Sequence, residues 1–173
     1  LLKKGRWEKK TGHLLMGKIV GILGLGRIGK RVADMMMKLG AKVVAADLSP
    51  DKNWAQRQGV KIVSVQQLIK ISDIISIHLA FVANNAFCLG KKELASMKKG
   101  ALLVNTSRGQ FVDEKALYNA LKSGRLGGAA LDVFEKEPYQ GKLGELDNVV
   151  LTPHIATLTE ESRLQMEMEA ACN

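Results

Sequence analysis

Apolar positions along this chain follow two alternating rhythms. Lys18-Ile19-Val20-Gly21-Ile22-Leu23 is a near-continuous apolar run, the pattern of a strand buried on both faces. Ile28, Val32, Met35, Met36 and Leu39 then recur at helical spacing, and Gly40 stops the helix. Met35-Met36-Met37 reads as helix packing, with Met37 at the surface, and not as a metal site. The alternation continues. Strands are expected at Lys42 to Asp47, Val60 to Ser64, Asp73 to Leu79, Ala101 to Asn105, Gly128 to Asp132 and Asn148 to Leu151. Helices are expected at Val65 to Ile71 (with Gln66 and Lys70 on the polar side), Lys91 to Met97, Glu114 to Ser123 near Gly124, and from Thr159 onward. Repeated strand–helix alternation with fully apolar strands means an α/β fold: a doubly wound parallel sheet covered by helices.

Composition narrows this picture. The chain has 173 residues, 46% of them hydrophobic, which suits one domain with a sizeable core. No apolar run approaches the ~20 residues of a membrane span. Lys3, Lys4, Arg6, Lys9 and Lys10 come early, yet no apolar segment of signal-peptide length follows, so neither a leader nor a membrane partner is expected. The net charge of +9 is uneven: the first ten residues hold five basic side chains and Glu8, whereas the stretch from Glu160 holds four Glu and one Arg. With only four Phe, two Tyr and two Trp and no stacking motif, the basic balance reads as a solvated face and not as a nucleic-acid site. Cys88 and Cys172 have no metal or redox spacing, which suits a reducing compartment and gives the expectation of a cytoplasmic protein without a metal centre.

The most specific local signal is Gly24-Leu25-Gly26-Arg27-Ile28-Gly29, a GxGxxG motif that follows a strand and opens a helix. Its glycines permit a tight turn, backbone approach to a pyrophosphate, and close helix–strand packing. The helix N-terminus offers free amides and a positive dipole end to the phosphates. Asp47 closes the next strand, eighteen residues after Gly29. A carboxylate there accepts from the adenosine ribose hydroxyls and repels a 2′-phosphate, so the expected cofactor is NAD in preference to NADP. The plainer reading of Asp47 is a turn former.

Three further stretches sit just past strands, where open α/β sheets bind ligands. They are Asn105-Thr106-Ser107-Arg108-Gly109, Leu131-Asp132-Val133-Phe134-Glu135-Lys136-Glu137-Pro138 and Thr152-Pro153-His154-Ile155-Ala156. Together they supply one guanidinium, several carboxylates and one imidazole. Each taken singly is unremarkable, but their common placement just past strands makes them a candidate constellation, with an Arg able to bind an anion and a His able to move a proton.

The ordered motifs GLGRIG, NTSRG, LDVFEKEP and TPHIA, with the lead-in Gly5-Arg6-Trp7 and Gly17-Lys18-Ile19-Val20-Gly21, resemble the D-isomer-specific 2-hydroxyacid dehydrogenases over essentially the whole chain. This group includes phosphoglycerate dehydrogenases and hydroxypyruvate reductases. The resemblance implies a Rossmann-like NAD-binding domain. It implies catalytic roles for Arg108, for Glu137 (the Glu directly before Pro, not Glu135) and for His154. It implies a nicotinamide contact for Asp132, and dinucleotide contacts around Arg27, Ile28, Leu79, Thr106 and Ser107. It further implies a small 2-oxo or 2-hydroxy acid as substrate. A homodimer through this domain is also implied, with residues 1–17 contributing and Trp7, Leu14 and Leu15 as apolar anchors.

The resemblance also has departures. His78-Leu79-Ala80-Phe81-Val82-Ala83-Asn84-Asn85 replaces a family stretch that carries a Pro and two Thr after the His, so His78 reads either as part of the cofactor loop or as a hydrogen-bonded strand end. The family's substrate domain is expected to be absent from this chain. A lead-in arm (1–17), a Rossmann core (18–152) and a catalytic-His loop with a terminal helix (153–173) would make up the NAD-binding domain. Alone, it is expected to bind NAD and turn over little. Relatives that oxidise formate would carry Gln at position 137, whereas phosphite-oxidising relatives share the motif. The second reading is a noncatalytic NAD-binding scaffold or sensor of the corepressor type.

Overall fold

The computed structural model describes residues 7, 9, 11–80 and 88–171. Seven parallel strands form one sheet: β1 (Ile19–Leu23), β2 (Lys42–Ala46), β3 (Lys61–Ile62), β4 (Ile74–Ile77), β5 (Leu102–Asn105), β6 (Gly128–Leu131) and β7 (Val149–Leu151). Their order is β3-β2-β1-β4-β5-β6-β7, so the direction of winding reverses between β1 and β4. The helices are α1 (Arg27–Lys38), α2 (Lys52–Gln58), α3 (Val65–Ile71), α4 (Lys91–Ser96), α5 (Glu114–Lys122) and α6 (Glu160–Ala171). Every helix before α6 lies between two sequential strands, as parallel pairing requires. The expected doubly wound α/β architecture is therefore the observed one.

The period-two geometry of a strand sorts its side chains to two faces. Val20 and Ile22 of β1 join Val43 and Ala45 of β2 under Ala33 of α1 and Ala55 of α2. Leu23, Val44, Ile75, Ile77 and Leu103 face the other way and pack with Leu68 of α3, Leu94 of α4 and Leu117 and Leu121 of α5. Cover is incomplete on this half of the sheet, where Leu102 of β5 and Val150 of β7 stand exposed. Lys98 and the amide of Ile19 both bond Asp73, at 2.9 and 2.8 Å, and so tie β4 to β1 at the lower edge of the sheet.

Four expectations need correction. The helix α2 was not foreseen, since Trp54 and Ala55 are the only apolar residues in its seven; Asp51 starts it by accepting from the Trp54 amide at 2.9 Å, and Gly59 ends it with φ of 72°. Ser64 belongs to no strand: its hydroxyl caps α3 by accepting from Gln67. On α1 the apolar spacing is real, but Ile28, Met35 and Leu39 point to the surface, while Gly29 and Ala33 form the buried contact. Within the methionine cluster, Met35 is the exposed member, and Met36 and Met37 pack against the core. Cys172, most of the basic opening segment and the altered stretch from Phe81 lie outside the described residues.

The approach of α1 to β1 depends on two glycines. Gly24 has φ of 92°, and a Cβ there would lie 2.5 Å from the His78 carbonyl oxygen. A Cβ on Gly29 would lie 2.0 Å from the Gly24 carbonyl oxygen, inside any tolerable contact. Gly29→Ala is thus expected to force α1 away from the turn and to cost about 1–3 kcal/mol. The check is urea unfolding, with a lower midpoint at an unchanged slope.

Candidate functional site at the carboxyl edge of the sheet

Because all seven strands are parallel, every candidate residue follows a strand at the same edge. The glycine turn follows β1 and opens α1 through Gly26, which carries no side-chain cap; no acidic residue sits in the first turn. Its first amides are therefore free of local carboxylate partners. Arg27 and Ile28 are exposed there. Among the described residues, no atom beyond its chain neighbours lies within 4 Å of the place a Gly26 Cβ would occupy, which leaves that backbone room for a ligand.

Asp47 follows β2. It braces the same turn, with one carboxylate oxygen accepting from the Leu25 amide at 2.6 Å and the other from the Ser49 amide at 2.8 Å. The turn-former reading therefore holds, and with about four acceptor sites on a carboxylate these two bonds leave others free. Asp47 and Leu79 also line a cleft of about 180 Å³ with Leu48, Ser64 and Val65. His78, past the end of β4, shares a hydrogen bond of 2.8 Å between Nε2 and the Ser76 hydroxyl, and burial lowers its pKa. That is the strand-end reading of this residue.

After β5 the chain turns on Asn105, which is buried. Its side-chain oxygen accepts from the amide and hydroxyl of Ser107 at 3.0 and 3.1 Å, and its amide nitrogen donates to the Arg108 carbonyl at 2.9 Å. This turn leaves Thr106 and Arg108 exposed, with the Arg108 guanidinium donating to the Ser107 carbonyl at 2.6 Å. Gly109 then presses on the next loop: a Cβ there would lie 1.9 Å from the Phe134 carbonyl carbon. The loop after β6 is held further by Glu114 of α5, which accepts from the Glu135 amide at 2.7 Å. Phe134 stacks on Tyr139 with centroids 4.2 Å apart.

The acidic loop and the loop after β7 meet at the Glu137–His154 bond and at the Asp132 carboxylate. His154 Nδ1 lies 2.9 Å from Glu137 Oε2, and Glu137 Oε1 accepts from the Phe134 amide at 3.0 Å. The bond to His154, and then the bond from Phe134, hold the Glu137 carboxyl below its ordinary pKa. Arg108, Glu137 and His154 line a single cleft of about 240 Å³ with Gly109, Gln110 and Phe134. The residue that pairs with His154 is Glu137 and not Glu135. Asp132 is buried beneath this cleft, and its carboxylate is bonded to Thr152, Ile155 and Ala156. Burial works to raise its pKa. The Thr152 hydroxyl and the two amides outweigh burial and keep it ionised below the ordinary value.

Four residues of this site have supporting roles that the motifs alone do not assign: Asn105, Gly109, Glu114 and Thr152. Asn105 carried one signal, a polar residue ending an apolar strand. The other three act through contacts distant in sequence. Among the described residues no group of three His, Cys, Asp or Glu side chains could hold a metal ion.

The family model for the D-isomer specific 2-hydroxyacid dehydrogenase NAD binding domain matches residues 1–156. The D-3-phosphoglycerate dehydrogenase of Archaeoglobus fulgidus is 43% identical over 171 residues, which cover 96% of this chain and 32% of that protein. The glyoxylate reductase of Aeropyrum pernix is 43% identical over 177 residues, which cover 96% of this chain and 53% of that protein. The crystal structure of D-lactate dehydrogenase from Aquifex aeolicus complexed with NAD and lactic acid superposes with a TM-score of 0.88 at 32% identity, covering 98% of this chain and 56% of that one. The chain spans a third to about half the length of these relatives.

The lowered Glu137 pKa has a consequence for stability. A carboxyl whose folded pKa is depressed adds stability above its unfolded value, near 4.5, and loses it as pH falls through the folded value. Glu137→Gln is expected to remove that part of the acid sensitivity. Urea midpoints measured between about pH 6 and pH 3 should fall less steeply in the variant than in the unsubstituted chain.

Proposed function

The chain belongs to the D-isomer specific 2-hydroxyacid dehydrogenases, whose NAD-binding domain it carries, and on that premise we propose that the whole protein interconverts a D-2-hydroxy acid and its 2-oxo acid. The observation that carries this reading is the 2.9 Å bond between His154 Nδ1 and Glu137 in a cleft shared with Arg108.

The residues fit the cofactor. The turn at Gly24 to Gly29 leaves the Gly26 backbone open and the first amides of α1 without a side-chain cap, which suits a pyrophosphate. Asp47 stands at the neighbouring strand end with an acceptor for ribose hydroxyls and a charge that opposes a 2′-phosphate. NAD supplies the hydride acceptor and donor when bound. The chain's own residues do the rest. Arg108 offers an exposed planar guanidinium to the substrate carboxylate. Glu137 takes the Nδ1 proton of His154 in a hydrogen bond, which leaves Nε2 as the nitrogen that gives or takes the proton at the 2-oxygen. Glu137 is held ionised, since that bond lowers its pKa, and so remains an acceptor for the Nδ1 proton.

A small 2-oxo or 2-hydroxy acid is the proposed partner, and neither nucleic acid nor a membrane is; no helix among the described residues is long and apolar enough to cross a membrane. We place the protein in the cytoplasm, a reading supported by the free thiol of Cys88. The noncatalytic scaffold reading can keep Arg108, Glu137 and His154 as well, and turnover of 2-oxo acids separates the two.

Three measurements check these statements. Asp47→Ala should weaken NAD binding and narrow the preference over NADP in calorimetry; unchanged affinity and selectivity would remove the ribose role. In the whole protein, His154→Ala should slow reduction of glyoxylate, hydroxypyruvate or pyruvate by about 10²–10⁴-fold while NAD affinity holds. Turnover of none of these by the unsubstituted protein would favour the scaffold. A homodimer through this domain is proposed on the exposed apolar side chains of Trp7 and Leu14, with Met16, Met35 and Leu39 exposed beside them; Leu15, expected as a third anchor, packs instead against the chain's own core. Light scattering at micromolar concentration should give twice the monomer mass, and a monomer would contradict it.

A further inference from the structure

His154 has φ of 54°, the only positive φ outside glycine among the described residues. An L residue adopts that conformation when its surroundings impose it. Asp132 imposes it from below. Its Oδ1 accepts from the Thr152 hydroxyl at 2.5 Å and from the Ile155 amide at 2.9 Å, and its Oδ2 accepts from the Ala156 amide at 2.9 Å. These donors lie on both sides of His154 in the chain. The Thr152 amide is itself anchored to the Leu131 carbonyl at 3.0 Å, and the His154 amide returns to the Thr152 carbonyl at 3.0 Å. Both ends of a five-residue loop are thus drawn to one buried carboxylate, and His154 sits at the crown between them.

We propose that Thr152 is a positioning residue: with Asp132 it clasps the loop so that the His154 ring meets Glu137 through Nδ1 and presents Nε2 to the cleft. The proposal rests on the reading of His154 as the proton-transfer group and deepens it. Glu137 is fixed independently, since the Phe134 amide holds its second oxygen and Glu114 holds the Glu135 amide. An opened clasp therefore moves His154 against a stationary Glu137 and frees the ring to exchange tautomers. The clasp does not compete with a cofactor contact. A carboxylate has about four acceptor sites, and three bonds to the loop leave room for one donor from a ligand. Burial and charge agree with this role: Asp132 is 4% exposed, and the clasp bonds keep it ionised.

The test is nitrogen NMR of the chain labelled at histidine, at about pH 8.5, above the ordinary imidazole range. The unsubstituted chain should show His154 predominantly with the proton on Nδ1. Thr152→Val removes the hydroxyl at nearly constant shape and should give a mixture of both tautomers. Thr152→Ser should restore the single form. A folded Thr152→Val chain with the tautomer unchanged would overturn the proposal. Should that variant fail to fold, hydrogen exchange on the unsubstituted chain decides. The Ile155 and Ala156 amides should exchange far more slowly than those of Thr157 and Thr159, and equal rates would overturn the clasp. Mixed tautomers in the unsubstituted chain, together with slow exchange at Ile155 and Ala156, would support the clasp and refute the Glu137 pairing instead.

Discussion

Parallel hydrogen-bonded register constrains everything else in this molecule. From β1 outward each strand pairs in the same direction, Val20 with Val43 and Ile74, and Leu103 with Ile75 and Ala129. The chain must then cross back before each return, under a helix at every step up to β6, and each strand must end at the same edge. Residues far apart in sequence are thereby delivered to one place: the glycine turn, Asp47, Arg108, Glu137 and His154. The reversal of winding between β1 and β4 opens a crevice where two crossovers diverge, the position at which sheets of this kind take ligands.

The loops at that edge are fixed by buried polar groups. Asn105 shapes the Arg108 turn and Asp132 anchors the His154 loop. A buried carboxylate is costly unless its oxygens are satisfied, so the three donors to Asp132 stabilise the ion and order the loop together. Gly109 contributes through size. Only a residue without a Cβ lets the Arg108 turn touch the backbone at Phe134, and that contact brings the guanidinium beside the Glu137–His154 pair.

How much of this was legible in the sequence follows from the range of each interaction. The strands were legible because two-sided burial writes an apolar run, as in β1, β2, β4 and β5. The glycine turn was legible because its context is local: a strand before it and a helix after it. The helix α2 was not, because its seven residues bury little beyond Ala55 and its evidence lies in the caps Asp51 and Gly59. Helical spacing found the apolar side of α1 but could not tell a core stripe from a surface one, so Ile28, Met35 and Leu39 came out exposed. Arg108, Glu137 and His154 were placed by a resemblance of ordered motifs. Their mutual geometry, and the bonds from Asp132 to a loop more than twenty residues away, are tertiary facts with no local signature.

On the proposed function, the cofactor seat and the Arg108, Glu137 and His154 cleft form one continuous site along the carboxyl edge of the sheet. Titration of the ¹⁵N-labelled chain with NAD, followed by amide NMR, reads this out residue by residue. Resonances of Gly24 to Gly29, Asp47, Thr106 to Arg108, Asp132 and the loop from Thr152 to Ala156 should shift together and saturate with a single dissociation constant. Binding that leaves the glycine turn unmoved, or that shifts the turn and the His154 loop with different constants, would contradict it.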